Sequence, residues 1–89
     1  MIFTIDETMK VDVSTAAQDV DIACRVFLAS NAGSSTVYIH PKADGKNATT
    51  SDFAIAAGQT INVPMCCEKL SVIGTQAGDL RLMFGHVWG

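Results

Sequence analysis

The run Gly78-Asp79-Leu80-Arg81-Leu82-Met83-Phe84 decides the fold class of this chain. Three apolar residues, Leu80, Leu82 and Phe84, occupy alternate positions of the run. Successive residues of a β-strand face opposite sides of a sheet, so a period of two is typical of a strand with one buried face. The run therefore predicts a strand that directs these three residues into a core.

The same pattern recurs along the rest of the chain. Alternation covers residues 9–14, 36–40 and 60–63, and a short apolar run covers residues 70–73. Turn-forming residues separate these segments, at 31–35, 41–45, 57–58, 64 and 74–78. Short strands with such regular breaks predict one all-β domain over residues 1–89, an antiparallel β-sandwich of jelly-roll type with about seven or eight strands. The turn at 74–78 predicts a hairpin between the last two strands.

Residues 14–28 allow two interpretations. Ser14 or Thr15 followed by Gln18 resembles a helical capping box, which would begin a helix. The alternative is a strict alternation of apolar and other residues from Val20 to Leu28. Because the alternation is longer and rich in β-branched residues, we predict one long strand here and keep the helix as the alternative.

Composition points to contact with other proteins. The chain is 48% hydrophobic and 17% charged, whereas a domain of this size buries only roughly 60–65% of its unfolded surface. Some apolar surface is therefore expected to meet a partner. The net charge is −3 and the basic residues are scattered, which disfavours nucleic-acid binding. No run of ~20 apolar residues predicts a membrane span, and the early Asp6 and Glu7 do not fit a signal peptide.

The reactive residue types do not form a recognisable catalytic or metal-binding motif. His40 and His86 have no Cys, Asp or Glu at ligand or triad spacing in the sequence. The three cysteines are Cys24 and the adjacent Cys66-Cys67, an odd set without the spaced pairs of zinc sites. Small apolar residues in a reducing cytosol are the better interpretation of the cysteines. The sequence predicts no enzyme, no catalytic residue, no cofactor and no metal.

The two ends of the chain hold the residues that we single out for contacts. The only tryptophan, Trp88, is one residue from the C-terminal end of the sequence, and Ile2 and Phe3 are near the other end. Tryptophan is enriched at the centres of protein interfaces. We predict interface roles for Ile2, Phe3, Phe84 and Trp88, with packing onto their own domain as the alternative.

An ordered set of landmarks resembles the small β-sandwich virion proteins of tailed bacteriophages and prophages. The resemblance covers the chain from about Arg25 to the C-terminus. Its landmarks are an N-x-G-x-x-x-V-Y-I run at 31–39, then residues 53–61, 70–74 and 78–82, and a closing Gly85. The insert at 42–50 and the vicinal cysteines depart from that pattern.

This resemblance implies a non-enzymatic virion structural protein assembled in the bacterial host cytoplasm. The first expectation is a capsid decoration or cement protein, which stabilises the head through contacts with the major capsid protein or other virion proteins. The second expectation is a tail or fibre module that binds a host receptor or glycan. A homo-oligomer, with a trimer favoured, is expected, and neither nucleic acid nor membrane is expected as a partner.

Overall fold

The structure of the chain is a computed structural model, which describes residues 2–22, 26–42, 45–63 and 68–88. These residues form eight antiparallel strands. Side chains are described for residues 7–22, 28–42, 45–62 and 68–85. The strands are β1 (Ile2–Val13), β2 (Gln18–Asp21), β3 (Val26–Asn31), β4 (Val37–Pro41), β5 (Phe53–Ile55), β6 (Thr60–Val63), β7 (Lys69–Gly74) and β8 (Gly78–Trp88).

The strands are divided between two four-stranded sheets. The first sheet has the order β1-β8-β3-β6 and the second has the order β2-β7-β4-β5. Of the consecutive strands, β4 and β5 alone are neighbours in one sheet, and every other connection between described strands crosses to the opposite sheet. This is the strand order of a jelly roll. The predicted all-β antiparallel sandwich is confirmed.

The core lies between the two sheets and follows the alternation in the sequence. Leu80, Leu82 and Phe84 of β8 are fully buried, and Val37 and Ile39 of β4 face them from the second sheet. Both sheets bury their apolar positions against each other because neither can cover its own apolar face. The remaining buried apolar residues of this core are Val11, Val13, Val20, Ile22, Ala29, Ile55, Leu70 and Val72.

The predicted hairpin between the last two strands is wrong. β7 pairs with β2 and β4, whereas β8 pairs with β1 and β3. The chain leaves the second sheet at Gly74, whose N–H donates to the Ser14 carbonyl at 2.9 Å. A Cβ on Gly74 would lie 2.8 Å from both the Gln76 carbonyl oxygen and Val13 Cγ1, so the nearby backbone and the Val13 side chain leave no room for a larger residue. With β7 and β8 in opposite sheets, the apolar residues of both strands meet in the core between the sheets.

The predicted long strand at 20–28 is also wrong, and so is the helix. The segment contributes β2 to the second sheet and β3 to the first. The buried positions are even-numbered in the first half, at Val20 and Ile22, and odd-numbered in the second, at Ala29 and Asn31. The alternation changes phase because the chain crosses between sheets and must point its side chains back toward the same core.

Candidate interaction surfaces

The longest strands of the fold are the two that contain the ends of the chain. β1 and β8 pair from Ile2 opposite Trp88 to Val13 opposite Gly78, with a bulge between Ile5 and Glu7. β3 flanks β8 on the other side, but its described pairing stops at Gly85. We call residues 2–5 and 85–88, which pair with each other beyond the bulge, the terminal ribbon.

Three of the four predicted contact residues lie in the terminal ribbon. Ile2 is the register partner of Trp88, and Phe3 is the register partner of Val87. Their side chains lie outside the part of the chain whose side chains are described. The pairing of β1 with β8 brings these three residues to one end of the first sheet.

The fourth predicted contact residue, Phe84, belongs to the core. Its ring is fully buried between the sheets and packs with Leu80 and Leu82. This position corrects the expectation of a surface role, because a side chain with no exposed area cannot contact a partner in this fold. The alternation that identified β8 as a strand already placed Phe84 on its buried face.

Phe53 is an exposed aromatic that the sequence analysis did not single out. It is 59% exposed and is the one large hydrophobic residue in this state among the described side chains. Phe53 begins β5, an edge strand of the second sheet, and pairs with Ile39.

A loop covers part of the outer face of the second sheet. Ala48 is 3% exposed, and its N–H donates to Ser71 Oγ at 2.8 Å. Ser71 lies on β7 between buried Leu70 and Val72, and the loop covers it so that it is fully buried. The Ala48 contact holds the loop, residues 45–52, against β7. Just after β4, Lys42 Nζ donates to both carboxylate oxygens of Asp19 on β2, at 2.8 and 3.0 Å.

A histidine–carboxylate pair fastens the far end of the same loop. His40 Nδ1 lies 2.9 Å from Asp52 Oδ1. The other Asp52 oxygen accepts hydrogen bonds from the Thr49 N–H at 2.7 Å and from Thr49 Oγ1 at 3.2 Å. The sequence predicted no acidic partner for His40, because twelve residues separate the two and no motif marks that spacing. The β4–β5 connection brings them together.

The Asp52 carboxylate is stabilised in its charged form. Chiefly the Thr49 N–H, and then His40, hold the pKa of Asp52 below its ordinary value of 3.8, although partial desolvation acts in the opposite direction. The folded loop therefore favours deprotonated Asp52. Its contribution to loop attachment is complete above the ordinary aspartate pKa and is lost as the pH falls through the lowered value.

We expect the loop to detach in acid in a manner that depends on Asp52. The protection factors of the Ala48 and Thr49 amides, measured by NMR hydrogen exchange from about pH 5 to pH 2, should fall as Asp52 is protonated. Asp52→Asn should exchange rapidly at both amides across the whole range. Asp12→Asn, at an exposed carboxylate of β1, is the matched control and should behave as the wild type. Equal protection in Asp52→Asn and wild type would contradict the assignment.

Asp52, His40 and Ser71 are the residue types of a hydrolase triad, and Ser71 is the register partner of His40. The geometry does not suit catalysis. Ser71 is fully buried beneath Ala48, and its oxygen accepts the Ala48 N–H. A nucleophile must reach a substrate carbonyl, and this hydroxyl faces the protein's own loop. In this arrangement the three residues hold the loop against the second sheet through hydrogen bonds.

The predicted absence of a metal site concerns residues that are only partly described. Cys24, Cys66 and Cys67 lie outside the described residues, and so does the side chain of His86. Among the side chains that are described, no three of the residue types His, Cys, Asp and Glu cluster as metal ligands. The described segments also contain no helix that is long and apolar enough to cross a membrane.

The fold and surfaces define an eight-stranded jelly-roll sandwich with a terminal ribbon and a fastened loop. The chain matches no protein-family model, no curated protein and no solved structure.

Proposed function

We propose that the chain is a non-enzymatic structural protein of a bacteriophage virion, a capsid decoration or cement protein. The observation that carries the proposal is the terminal ribbon, in which apolar residues near the two ends of the sequence pair with each other on β1 and β8. The ordered landmarks from about Arg25 onward support the phage assignment. A jelly roll is an architecture that viral capsid domains use.

The proposed mechanism is mechanical. The terminal ribbon packs against the major capsid protein or another virion protein and removes apolar area from water, at roughly 25 cal/mol per Å². Many symmetric copies on one head multiply a modest contact into a large stabilisation of the shell. The protein would assemble in the bacterial cytoplasm and remain in the virion, with neither nucleic acid nor membrane as its partner.

Retention on purified particles tests this proposal. We expect mass spectrometry to find the chain in many copies per washed particle. Phe3→Ala combined with Trp88→Ala should reduce that copy number at least tenfold, because both apolar residues leave the ribbon. Thr4→Ala combined with His86→Ala is the matched control, since these polar residues are register partners in the same ribbon, and it should stay bound. Particles that lack the wild-type chain would contradict the proposal.

Exposed Phe53 gives specific support to the second candidate, a tail or fibre module that binds a receptor or glycan. Aromatic rings at a surface can stack on the apolar face of a sugar, and Phe53 is 59% exposed on an edge strand. Half-buried Tyr38 lies on the neighbouring strand but alternates with buried Val37 and Ile39, so it faces the opposite side of the sheet. Glycan-array binding that is lost in Phe53→Ala and kept in Tyr38→Ala would favour this role. An array without binding would favour the decoration protein.

A further inference from the structure

The sandwich has four edge strands, and one of them is far longer than the others. β1 has 12 residues, whereas the other outer strands, β6, β2 and β5, have 4, 4 and 3. Long edge strands present unpaired backbone groups to any strand of another chain, and proteins usually shorten or cover them. β1 is therefore the edge most suited to pairing with another strand.

Two hydrogen bonds establish which backbone groups of β1 face outward. The Asp79 carbonyl accepts the Ala32 N–H at 2.9 Å, so odd-numbered residues of β8 point toward β3. Even-numbered residues of β8 must then point toward β1, where their register partners are odd-numbered. Gln18 Nε2 donates to the Asp12 carbonyl from the β2 side at 2.7 Å, as expected if even-numbered residues of β1 point outward.

The outward-facing backbone N–H and C=O groups of Thr8 and Lys10 form the open part of this edge. On one side of them the bulge between Ile5 and Glu7 interrupts the regular pairing. On the other side the Gln18 amide occupies the Asp12 carbonyl. The open window is therefore short and centred on Met9.

We propose that this window, Thr8 to Lys10, pairs antiparallel with the same window of a second copy. A two-fold axis would pass beside Met9, so that Thr8 of each copy faces Lys10 of the other. The N–H and C=O of Thr8 and Lys10 would exchange hydrogen bonds across the axis. The first sheets of the two copies would join into one continuous sheet.

A second copy of the chain fits this window about a two-fold axis. A window that is symmetric about its central residue is complementary to itself in the antiparallel direction, which is the requirement for an isologous interface. The positive charge of Lys10 is partly compensated within its own strand, because Lys10 Nζ lies 3.5 Å from Asp12 Oδ1. Pairing by this edge closes as a dimer, whereas the resemblance favoured a trimer.

Replacing Thr8 with proline, with alanine at the same position as the control, tests the pairing. Thr8→Pro removes the outward N–H, and proline is tolerated on the free side of an edge strand. Thr8→Ala removes the same hydroxyl and keeps the N–H. By light scattering we expect the wild type and Thr8→Ala at twice the 9.4 kDa chain mass, and Thr8→Pro at the single mass. A dimeric Thr8→Pro or a monomeric wild type would overturn the proposal.

Amide exchange of the wild-type protein tests the same pairing without a variant. The Thr8 and Lys10 amides should exchange more slowly as the protein concentration rises, at least tenfold between dilute and concentrated samples, while the exposed Thr75 amide stays fast. Exchange that is independent of concentration would count against the proposal even if Thr8→Pro failed to fold. This inference does not depend on the virion role, because particle retention is measured separately with the ribbon variants.

Discussion

Asn31→Ala should destabilise the protein by about 3 to 4 kcal/mol in urea unfolding at neutral pH. Asn31 is fully buried, and its amide donates to the Ser35 carbonyl at 2.7 Å and to the Ile55 carbonyl at 2.9 Å. Its Oδ1 accepts the Gly33 N–H at 3.0 Å. Alanine would leave these groups without partners in a dry environment, where each unsatisfied group costs about 1–3 kcal/mol.

The effect should be large because Asn31 joins the two sheets. It lies on β3 of the first sheet and binds the carbonyl of Ile55 on β5 of the second. Asn31→Asp keeps the acceptor but loses the donor, so it should remain strongly destabilised. Asn62→Ala is the control at an exposed position of β6 and should change the free energy of unfolding by less than about 0.5 kcal/mol. A loss below about 1 kcal/mol in Asn31→Ala would show that these hydrogen bonds are replaced.

Phe84→Ala should destabilise the protein by about 3 to 5 kcal/mol. The ring is the largest fully buried side chain among those described, and its removal leaves a cavity between the sheets that the surrounding strands cannot close. Urea or thermal unfolding measures the change. Met83→Ala is the matched control. Met83 directly precedes Phe84 on the same strand, its side chain faces the outer side of the sheet, and it is half-buried.

The two substitutions also separate the core role of Phe84 from a contact role. Met83→Ala should cost less than about 1 kcal/mol, since its side chain is already partly in water. A Phe84→Ala protein that unfolded with wild-type stability but lost particle binding would contradict the core assignment. We expect Phe84→Ala to lower the free energy of unfolding far more than Met83→Ala does.

Both proposals concern surfaces built from the same strand. The terminal ribbon uses the first residues of β1, and the self-pairing window uses Thr8 to Lys10 further along it. The bulge between Ile5 and Glu7 separates the two surfaces and changes which residues face outward. One strand can therefore present a ribbon to a different protein and an edge to a second copy.

The alternation of apolar residues was sufficient to predict the class of fold. Leu80, Leu82 and Phe84, and likewise Val37 and Ile39, are buried as the period of two requires. This information is local, because one strand residue and the next face opposite sides wherever the strand lies.

That rule does not predict which strands become neighbours in a sheet. The hairpin at 74–78 and the long strand at 20–28 were both wrong, since each joins segments that the chain places in different sheets. Strand adjacency depends on which faces must meet to exclude water, and that is a property of all eight strands together. A turn sequence restricts the local bend but not the sheet to which the chain returns.

The polar contacts show the same division. Sequence alone determined an all-β sandwich and the inward residues of its strands. Only the tertiary structure decided that Asp52 would meet His40, that Ala48 would cover Ser71, and that Asn31 would join the two sheets. Hydrogen bonds require atoms within about 3 Å, and residues far apart in the chain reach that distance only after the sheets have packed.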